Sequence, residues 1–284
     1  MTKIDAHHHL WNYVPQEYGW IDETMAVLRR DFLIEDLCRE AQTVGIEGVI
    51  SVQARQSLQE TNWLLKIAAQ SDFVRGVVGW VPLANIDLPR ILDPLCEHSK
   101  LRGLRHVVQD EADPEFLLRS DLNGGIAKLL DYGLVYDILI FEHHLPTAIR
   151  FVDRHPHQVF VLDHAGKPRI RDKSFQSWKE QIKDLAKREH VYCKLSGLVT
   201  EANWKTWSER DLAPYVDTLL AAFGPQRLMV GSDWPVCLLA SSYQGWFEAL
   251  SNLLSRLSHH ERQSIMGGTA LVAYGIPAKL EASQ

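Results

Sequence analysis

The sequence predicts a distorted (β/α)8 TIM barrel formed by a single domain. Eight β-rich segments recur along the 284 residues, and each is followed by a longer segment with helical spacing. Several of these segments, such as 48–52 and 159–162, are nearly continuous apolar runs, which is typical of parallel strands buried on both faces. No linker or repeat divides the chain, and barrels of this class commonly have about this length. A doubly wound parallel sheet is the alternative.

The expected strands follow one another at regular intervals. They cover residues 3–9, 46–53, 76–82, 102–108, 134–141, 158–164, 190–196 and 227–233. Apolar residues spaced three or four apart predict helices over 61–71, 144–155, 174–189 and 211–223. We expect the residues after 236 to form helices that complete the outer layer of the barrel.

Residues 10–30 do not fit a minimal barrel. This segment follows the first strand, is longer than a strand-to-helix turn requires, and contains Trp11, Tyr13, Tyr18 and Trp20. We interpret it as a partial lid over the active site, whose aromatic rings pack on a sugar ring. A loop that its aromatic residues merely anchor to the barrel is the alternative.

Composition and charge exclude several classes of protein. The chain is 46% hydrophobic and 23% charged, which is ordinary for a globular protein. A formal net charge of −6 argues against nucleic acid, because binding phosphates requires clustered Lys and Arg. There is no signal sequence or membrane-length apolar run, and the 4 cysteines form no C-x-x-C pair. We therefore expect a cytoplasmic protein that acts on a small molecule; its oligomeric state is not predicted.

Two histidines mark the first strand as part of a reactive site. Because successive side chains alternate faces in a strand, His7 and His9 point the same way and His8 points oppositely. Two convergent imidazoles can hold a divalent metal, or donate hydrogen bonds to a carbonyl oxygen as it gains negative charge. A tag remnant or a polar strand end is the alternative, but the triplet is too short for a tag and lies inside an apolar pattern.

Further polar residues occur where later strands are expected to end, which is where barrels of this class carry their active sites. His164 ends the sixth predicted strand, and Asp233 ends the eighth, directly before a Trp-Pro turn. The Asp233 carboxylate is the best candidate for a general base. Each residue alone could cap a helix or satisfy a loop, but their order together with His7 and His9 favours one shared site.

These residues, together with five longer segments, resemble a known superfamily. The segments are QDEAD (109–113), VYDIL (135–139), DHAGKP (163–168), CKLSGL (193–198) and GSDWPV (231–236). The chain resembles the amidohydrolase superfamily (amidohydrolase family 2) over nearly its whole length, and within it the sugar-lactone hydrolase branch that includes the L-fuconolactonases. The resemblance implies a cytoplasmic barrel hydrolase that opens an aldonolactone to the sugar acid, in the catabolism of a sugar such as fucose.

The chain departs from the superfamily's binuclear metal pattern. That pattern adds a metal-bridging lysine or glutamate and a further strand-end histidine, and neither is placed in this sequence. Glu142, His143 and His144 follow the fifth predicted strand, but the Leu145-Pro146 pair after them favours a helix start over a ligand role. We therefore expect one divalent metal such as Zn²⁺, or none.

The expected mechanism uses Asp233 as a general base on a water placed over the lactone carbonyl. His7, His9 and His164 then stabilise the tetrahedral oxyanion, either directly or through a single Zn²⁺ held by these histidines and Asp233. The sequence contains no G-x-S-x-G string, which disfavours an acyl-enzyme intermediate.

Seven further residues are candidates for binding the substrate: Arg55, Arg105, His106, Tyr136, Lys167, Lys194 and Trp234. Arg105 and His106 are consecutive in a strand, so only one of them is expected to face the site. An inward Lys194 would be costly to bury unless it is paired, which favours a functional role. An outward lysine that extends past the helices is the alternative.

Two other functions stay open at this point. A metal-dependent decarboxylase of the same superfamily would require a metal and an arginine-rich pocket for a carboxylate. A non-catalytic sugar-binding barrel would use the histidines and Asp233 only to hydrogen-bond a ligand. Both differ from a lactonase in the result expected for Asp233→Asn, since only the lactonase would lose hydrolysis.

Overall fold

Eight parallel strands, paired in the order in which they occur in the chain, form the barrel. The structure is a computed structural model, and it describes residues 2–277. The strands are β1 (Ile4–His8), β2 (Gly48–Val52), β3 (Val74–Gly79), β4 (Leu101–Val107), β5 (Val135–Leu139), β6 (Phe160–Leu162), β7 (Val191–Leu195) and β8 (Leu228–Val230). The predicted (β/α)8 barrel is confirmed, with each strand inside or close to its predicted range.

Helices surround the strands. They are α1 (Ile34–Val44), α2 (Leu58–Gln70), α3 (Leu88–Cys96), α4 (Ser120–Leu129), α5 (Leu145–Asp153), α6 (Gln176–Leu185), α7 (Leu198–Glu201), α8 (Glu209–Phe223), α9 (Tyr243–Leu253), α10 (His259–Gln263) and α11 (Thr269–Ala273). The four predicted helices correspond to α2, α5, α6 and α8. Within residues 2–277, no helix has the length and apolar character needed to cross a bilayer.

The strands are buried on both faces, as their apolar runs predict. Strands β2 and β5 have every residue buried. Alternate residues belong to two cores: Val135 and Val161 pack inside the barrel, whereas Tyr136 and Leu162 pack between the strands and the helices. This alternation decides which polar side chains can reach the barrel interior.

The barrel closes where β1 meets the chain that follows β8. His8 and Trp234 form a parallel bridge there. The backbone N–H of His9 donates to the carbonyl of Trp234 at 2.7 Å, and that of Asp233 donates to the carbonyl of His7 at 2.8 Å. Backbone pairing at this seam therefore fixes three of the predicted catalytic residues relative to one another.

Aromatic side chains anchor the first part of segment 10–30 to the barrel. Trp11 and Tyr18 are buried, and the Trp11 ring lies edge-on to Phe32 with centroids 5.4 Å apart. Trp20, by contrast, is 38% exposed and lies against Trp11 with centroids 5.8 Å apart. The alternative interpretation, anchoring by aromatic residues, thus describes Trp11 and Tyr18, while Trp20 is left on the surface of the segment.

Candidate active site

A cavity of about 570 Å³ opens where the carboxyl ends of the strands meet. Three of the four residues predicted to be catalytic, His9, His164 and Asp233, lie on its wall. Three of the predicted substrate-binding residues also line it: Arg55, Arg105 and Lys167. The strand ends therefore bring both groups of residues to one place.

Three imidazoles surround one carboxylate oxygen at the bottom of the cavity. Oδ1 of Asp233 lies 3.4 Å from Nε2 of His9, 3.8 Å from Nε2 of His7 and 3.9 Å from Nε2 of His164. The Nε2 atoms of His7 and His9 are 3.3 Å apart. All four side chains are buried. We call these four residues the His–Asp centre.

Left-handed backbone conformations orient two of these side chains toward the cavity. His164 and Asp233 have φ angles of 52° and 57°, in the left-handed region that non-glycine residues rarely adopt. Simple alternation along β6 would place His164 on the outer face, and the left-handed turn returns it to the cavity. Gly197 packs directly on the His164 ring, where a Cβ would lie 2.6 Å from Nδ1. The ring position thus requires a glycine beside it.

Hydrogen bonds to the outer ring nitrogens orient two of the imidazoles. Nδ1 of His9 is 2.8 Å from the carbonyl oxygen of Val52, which can only accept. His9 Nδ1 therefore carries a proton, and Nε2 of the same ring faces Asp233. Nδ1 of His164 lies 2.9 Å from Oγ of Ser196, which directs Nε2 of His164 to the same point.

Burial disfavours the charged form of two of the imidazoles, those of His7 and His164, while the Asp233 carboxylate stays ionised. Burial lowers the pKa of His7 well below its ordinary value and lowers the pKa of His164 to about 4. Burial also opposes ionisation of Asp233, but His164 and His9 beside it hold its pKa below the ordinary value. At neutral pH the centre therefore contains a carboxylate that can accept a proton.

The donor atoms of the centre fit a single metal ion. Ligand atoms of His7, His164 and Asp233 all lie within 4.8 Å of one another. Nε2 of His9 faces the same point. Imidazole nitrogen and carboxylate oxygen are ligands that Zn²⁺ prefers, and a catalytic zinc site keeps one position for water.

A layer of paired charges lies directly beneath the centre. Nζ of Lys194 is 2.6 Å from Oδ2 of Asp137 and 3.0 Å from Oδ1 of Asp163. Arg105 donates to the second oxygen of Asp163 at 2.9 Å, and the hydroxyl of Tyr274 donates to Asp137 at 2.7 Å. All five side chains are buried. We call these residues the charged layer.

The charged layer touches the His–Asp centre through His7. Nδ1 of His7 lies 3.2 Å from Nζ of Lys194 and 3.4 Å from Oδ1 of Asp163. Lys194 thus points inward and is paired with carboxylates, rather than extending outward past the helices. It lies under the cavity rather than on its wall, so its assignment as a substrate contact is corrected to a supporting position beneath His7.

His106 and Tyr136 do not reach the cavity, which corrects their assignment to the substrate. The His106 ring stacks on Phe116 with centroids 4.7 Å apart. Tyr136 lies on the outer face of β5, where the centroid of its ring is 5.8 Å from that of the Phe151 ring. Alternation is the reason: Arg105 and the residue after Tyr136 take the inward positions.

Trp234 is also directed away from the cavity. Its ring packs edge-on against Phe32 with centroids 5.1 Å apart, and the residue is 1% exposed. Its assignment to the substrate is therefore corrected, since the side chain holds the barrel seam in place. Residues Glu142–His144 form a short 3-10 turn directly before α5, with Glu142 accepting from Arg169, so the helix-start interpretation is confirmed.

Several residues of the cavity wall were not among the predicted site residues, although Trp20 was expected to belong to the lid. Glu17, Trp20 and Met25 come from segment 10–30, and Glu201 comes from the end of α7. Glu17 forms an ion pair with Arg55, so this segment is tied to the loop after β2. The positions of the three residues from segment 10–30 depend on how loops cross the barrel mouth. Glu201 had one weak signal in the sequence, since it is an acidic residue shortly after a predicted strand.

The chain is similar to characterised and structurally solved proteins over nearly its whole length. Residues 4–276 match the family model described as Amidohydrolase. An L-fucono-1,5-lactonase of Burkholderia multivorans is 42% identical, covering 99% of this chain and 98% of that enzyme. An L-fucono-1,5-lactonase of Burkholderia ambifaria is 35% identical over 96% of each chain. A crystal structure of an amidohydrolase from Burkholderia multivorans with bound Zn has a TM-score of 0.95 and 42% identity, covering 98% of this chain and 100% of that one. The chain belongs to the amidohydrolase family.

Proposed function

We propose that this protein hydrolyses a sugar lactone, with L-fucono-1,5-lactone as the first candidate, to the corresponding sugar acid. The observation that carries the proposal is the ionised Asp233 carboxylate among three buried imidazoles at the bottom of an open cavity. The names of two relatives, at 42% and 35% identity over nearly their full lengths, support the substrate class. A role in fucose catabolism follows from those names.

Asp233 is the proposed general base. Its carboxylate faces the cavity and its pKa lies below the ordinary value, so it is ionised at neutral pH. It takes a proton from a water placed over the lactone carbonyl, and the resulting nucleophile attacks that carbon. Removal of this proton converts a weak nucleophile into one strong enough to attack an ester-like carbonyl.

The oxyanion that forms requires donors at the same point. His9 is excluded as a donor while neutral, because its proton is on Nδ1 and bonded to Val52. Neutral His7 and His164 can each present an Nε2–H, and a guanidinium nitrogen of Arg105 lies 3.4 Å from Nε2 of His7. We assign oxyanion stabilisation to His7 and His164, with Arg105, which is paired with Asp163, as a neighbour of His7.

Ring opening completes the reaction. Protonated Asp233 returns its proton to the ring oxygen as the carbon–oxygen bond breaks, which gives the hydroxyl and the carboxylic acid of the product. The sugar acid then ionises in water. No covalent enzyme intermediate is required, because water is the nucleophile.

A single Zn²⁺ is the metal proposed for this site; it would be held by His7, His9, His164 and Asp233, and the imidazoles of His7 and His164 would then serve as ligands instead of hydrogen-bond donors. A zinc ion supplies Lewis-acid polarisation of the carbonyl and lowers the pKa of a bound water. The bound Zn in the related crystal structure supports this assignment. Activity measured with and without a chelator tests whether hydrolysis depends on the metal.

The decarboxylase alternative is less well supported by the cavity. It requires arginines free to bind a carboxylate, but Arg55 is paired with Glu17 and Arg105 with Asp163. The sugar-binding alternative is disfavoured because two close relatives are named as lactonases.

We also propose that segment 10–30 is a partial lid of the one barrel domain, since Trp20 and other residues of it line the cavity. A cytoplasmic location is part of the proposal, and the four free cysteines are consistent with it.

A pH-indicator screen of sugar lactones, with and without a chelator, tests the proposed function. We expect acid release from an aldonolactone by the wild-type protein and none above background from Asp233→Asn. Acid release that the chelator abolishes and Zn²⁺ restores would assign a metal-dependent reaction. A wild-type protein that releases no acid from any sugar lactone contradicts the proposal.

A further inference from the structure

The charged side chains that line the cavity differ in whether they have partners. Arg55 and Arg105 are both held in ion pairs. Within residues 2–277, the carboxylate of Glu201 and the ammonium of Lys167 form no hydrogen bond and no ion pair, although both line the cavity. Lys167 lies over the ring of Phe141, with Nζ 5.3 Å from its centroid. Two carboxylates of the cavity wall, Glu201 and Asp110, thus have no protein partner among residues 2–277, and Glu201 is the more buried of the two, whereas Asp110 is exposed.

Backbone contacts hold Glu201 in place. Its N–H donates to the carbonyl of Gly197 at 3.3 Å, and its carbonyl accepts from the N–H of Arg171 at 3.0 Å. The guanidinium of Arg171 in turn donates to the carbonyl of Ala202 at 3.3 Å. The residue is therefore fixed at the end of α7 while its side chain remains without a partner.

Leaving a partly buried carboxylate without partners is unfavourable. Burial raises the pKa of Glu201, and the nearby Lys167 ammonium opposes this rise. Water in the cavity can hydrogen-bond to such a group in the free protein, and a ligand that displaces this water must replace the hydrogen bonds. A ligand with hydroxyl groups is chemically suited, because a carboxylate only accepts hydrogen bonds and a hydroxyl can donate one.

We propose that Glu201 is the residue that recognises the hydroxyl groups of the sugar lactone. Its carboxylate accepts hydrogen bonds from two neighbouring hydroxyls of the ring, and Lys167 donates to an oxygen of the same pair. Glu201 follows β7 and Lys167 follows β6, which are adjacent strands, so the two side chains bracket one side of the cavity. This inference rests on the proposed function and adds the group that distinguishes a polyhydroxylated lactone from a plain one.

The test compares Glu201→Gln with wild type on two ligands. One is L-fucono-1,5-lactone, for which kcat/KM is measured. The other is δ-valerolactone, the same six-membered ring without hydroxyls, for which the inhibition constant against the sugar lactone is measured. Glu97→Gln is the matched control, because Glu97 is an exposed carboxylate outside the cavity.

We expect Glu201→Gln to lower kcat/KM for the sugar lactone by about 10- to 100-fold, the usual effect of losing hydrogen bonds to a charged group. The inhibition constant of δ-valerolactone should stay within about twofold of the wild-type value, and Glu97→Gln should change neither quantity. The free energy of unfolding of Glu201→Gln should be unchanged or higher, because an unpaired charge has been removed.

Three results would overturn the inference. These are a wild-type kcat/KM of Glu201→Gln for the sugar lactone, an equal loss of δ-valerolactone binding, and a lower free energy of unfolding together with lower activity. The last two outcomes would assign Glu201 to the reacting atoms or to the fold. A wild-type protein that hydrolyses no lactone is a separate failure, that of the proposed function itself.

Discussion

The His–Asp centre and the charged layer beneath it both place carboxylates among nitrogen-bearing side chains, but they differ in how closely these groups are paired. In the charged layer every carboxylate meets a cation or a hydroxyl at 3.0 Å or less, as Lys194 does with Asp137 and Asp163. In the centre the closest approach between Asp233 and an imidazole is 3.4 Å, and the cavity lies open beside it. Satisfied charges fix a geometry, whereas loosely paired ones remain available for a substrate, a water or a metal.

The largest effect should come from the centre. Asp233→Asn removes the proposed base while keeping the shape of the side chain, so we expect kcat to fall by about 10³-fold or more. Thermal melting followed by circular dichroism should show a folded protein. Activity within tenfold of the wild type would show that another group accepts the proton.

The charged layer should respond in stability first. Lys194→Met leaves two buried carboxylates without their ammonium, and breaking a buried pair in this way costs about 3–5 kcal/mol of the free energy of unfolding. Urea denaturation measures it. Adding Asp137→Asn should recover part of the loss, since one stranded charge is then removed; no recovery would mean that Asp137 and Lys194 are not coupled.

The pH dependence of activity tests the protonation state of the His–Asp centre. Burial lowers the pKa of His164 to about 4, and the pKa of Asp233 lies below its ordinary 3.8, so the active protonation state persists above these values and is lost as pH falls through them. We expect kcat/KM to be level from about pH 8 to pH 5 and to fall up to tenfold per unit below about pH 4. Initial rates in a constant-ionic-strength buffer series check this. A decline that begins near pH 6.5 would indicate an imidazole with an ordinary pKa.

The smallest effect concerns the support of His164. Gly197→Ala places a Cβ 2.6 Å from Nδ1 of His164 at a φ of +66°, whereas Gly133→Ala has a similar φ of +63° and no atom within 4 Å. Both variants should lose about 1 kcal/mol of stability from the backbone alone. Only Gly197→Ala should also lower kcat, because only it displaces a ring of the centre. Equal kcat values in the two variants would show that the ring tolerates the displacement.

The sequence was sufficient for the barrel because its signals are local. Apolar runs and helical spacing identify elements one at a time, and parallel strands then bring their carboxyl ends together. Helices α3 and α4 are not among the four predicted helices. Pro94 and the Gly124–Gly125 pair weaken the helical pattern in these two segments. Gly125 is explained only by the fold, where a Cβ would lie 2.0 Å from the carbonyl oxygen of Leu83.

The site was predictable only in part. Alternation placed His7 and His9 on one side of β1, and it required that Arg105 or His106, but not both, face inward. It was not applied to Tyr136, whose neighbour Asp137 takes the inward position. The pairing of Asp137 with Lys194 depends on the register of two strands that are not adjacent, which no local pattern contains.

The seam of the barrel has a consequence for how activity arises. Two imidazoles come from the first strand and the residue directly after it, the proposed base Asp233 follows the last strand, and backbone hydrogen bonds involving His7, His9 and Asp233 join them. A growing polypeptide on the ribosome therefore has no working catalyst until its final strand has been made and docked. In a refolding experiment, turnover would report the moment at which the ring of strands is complete.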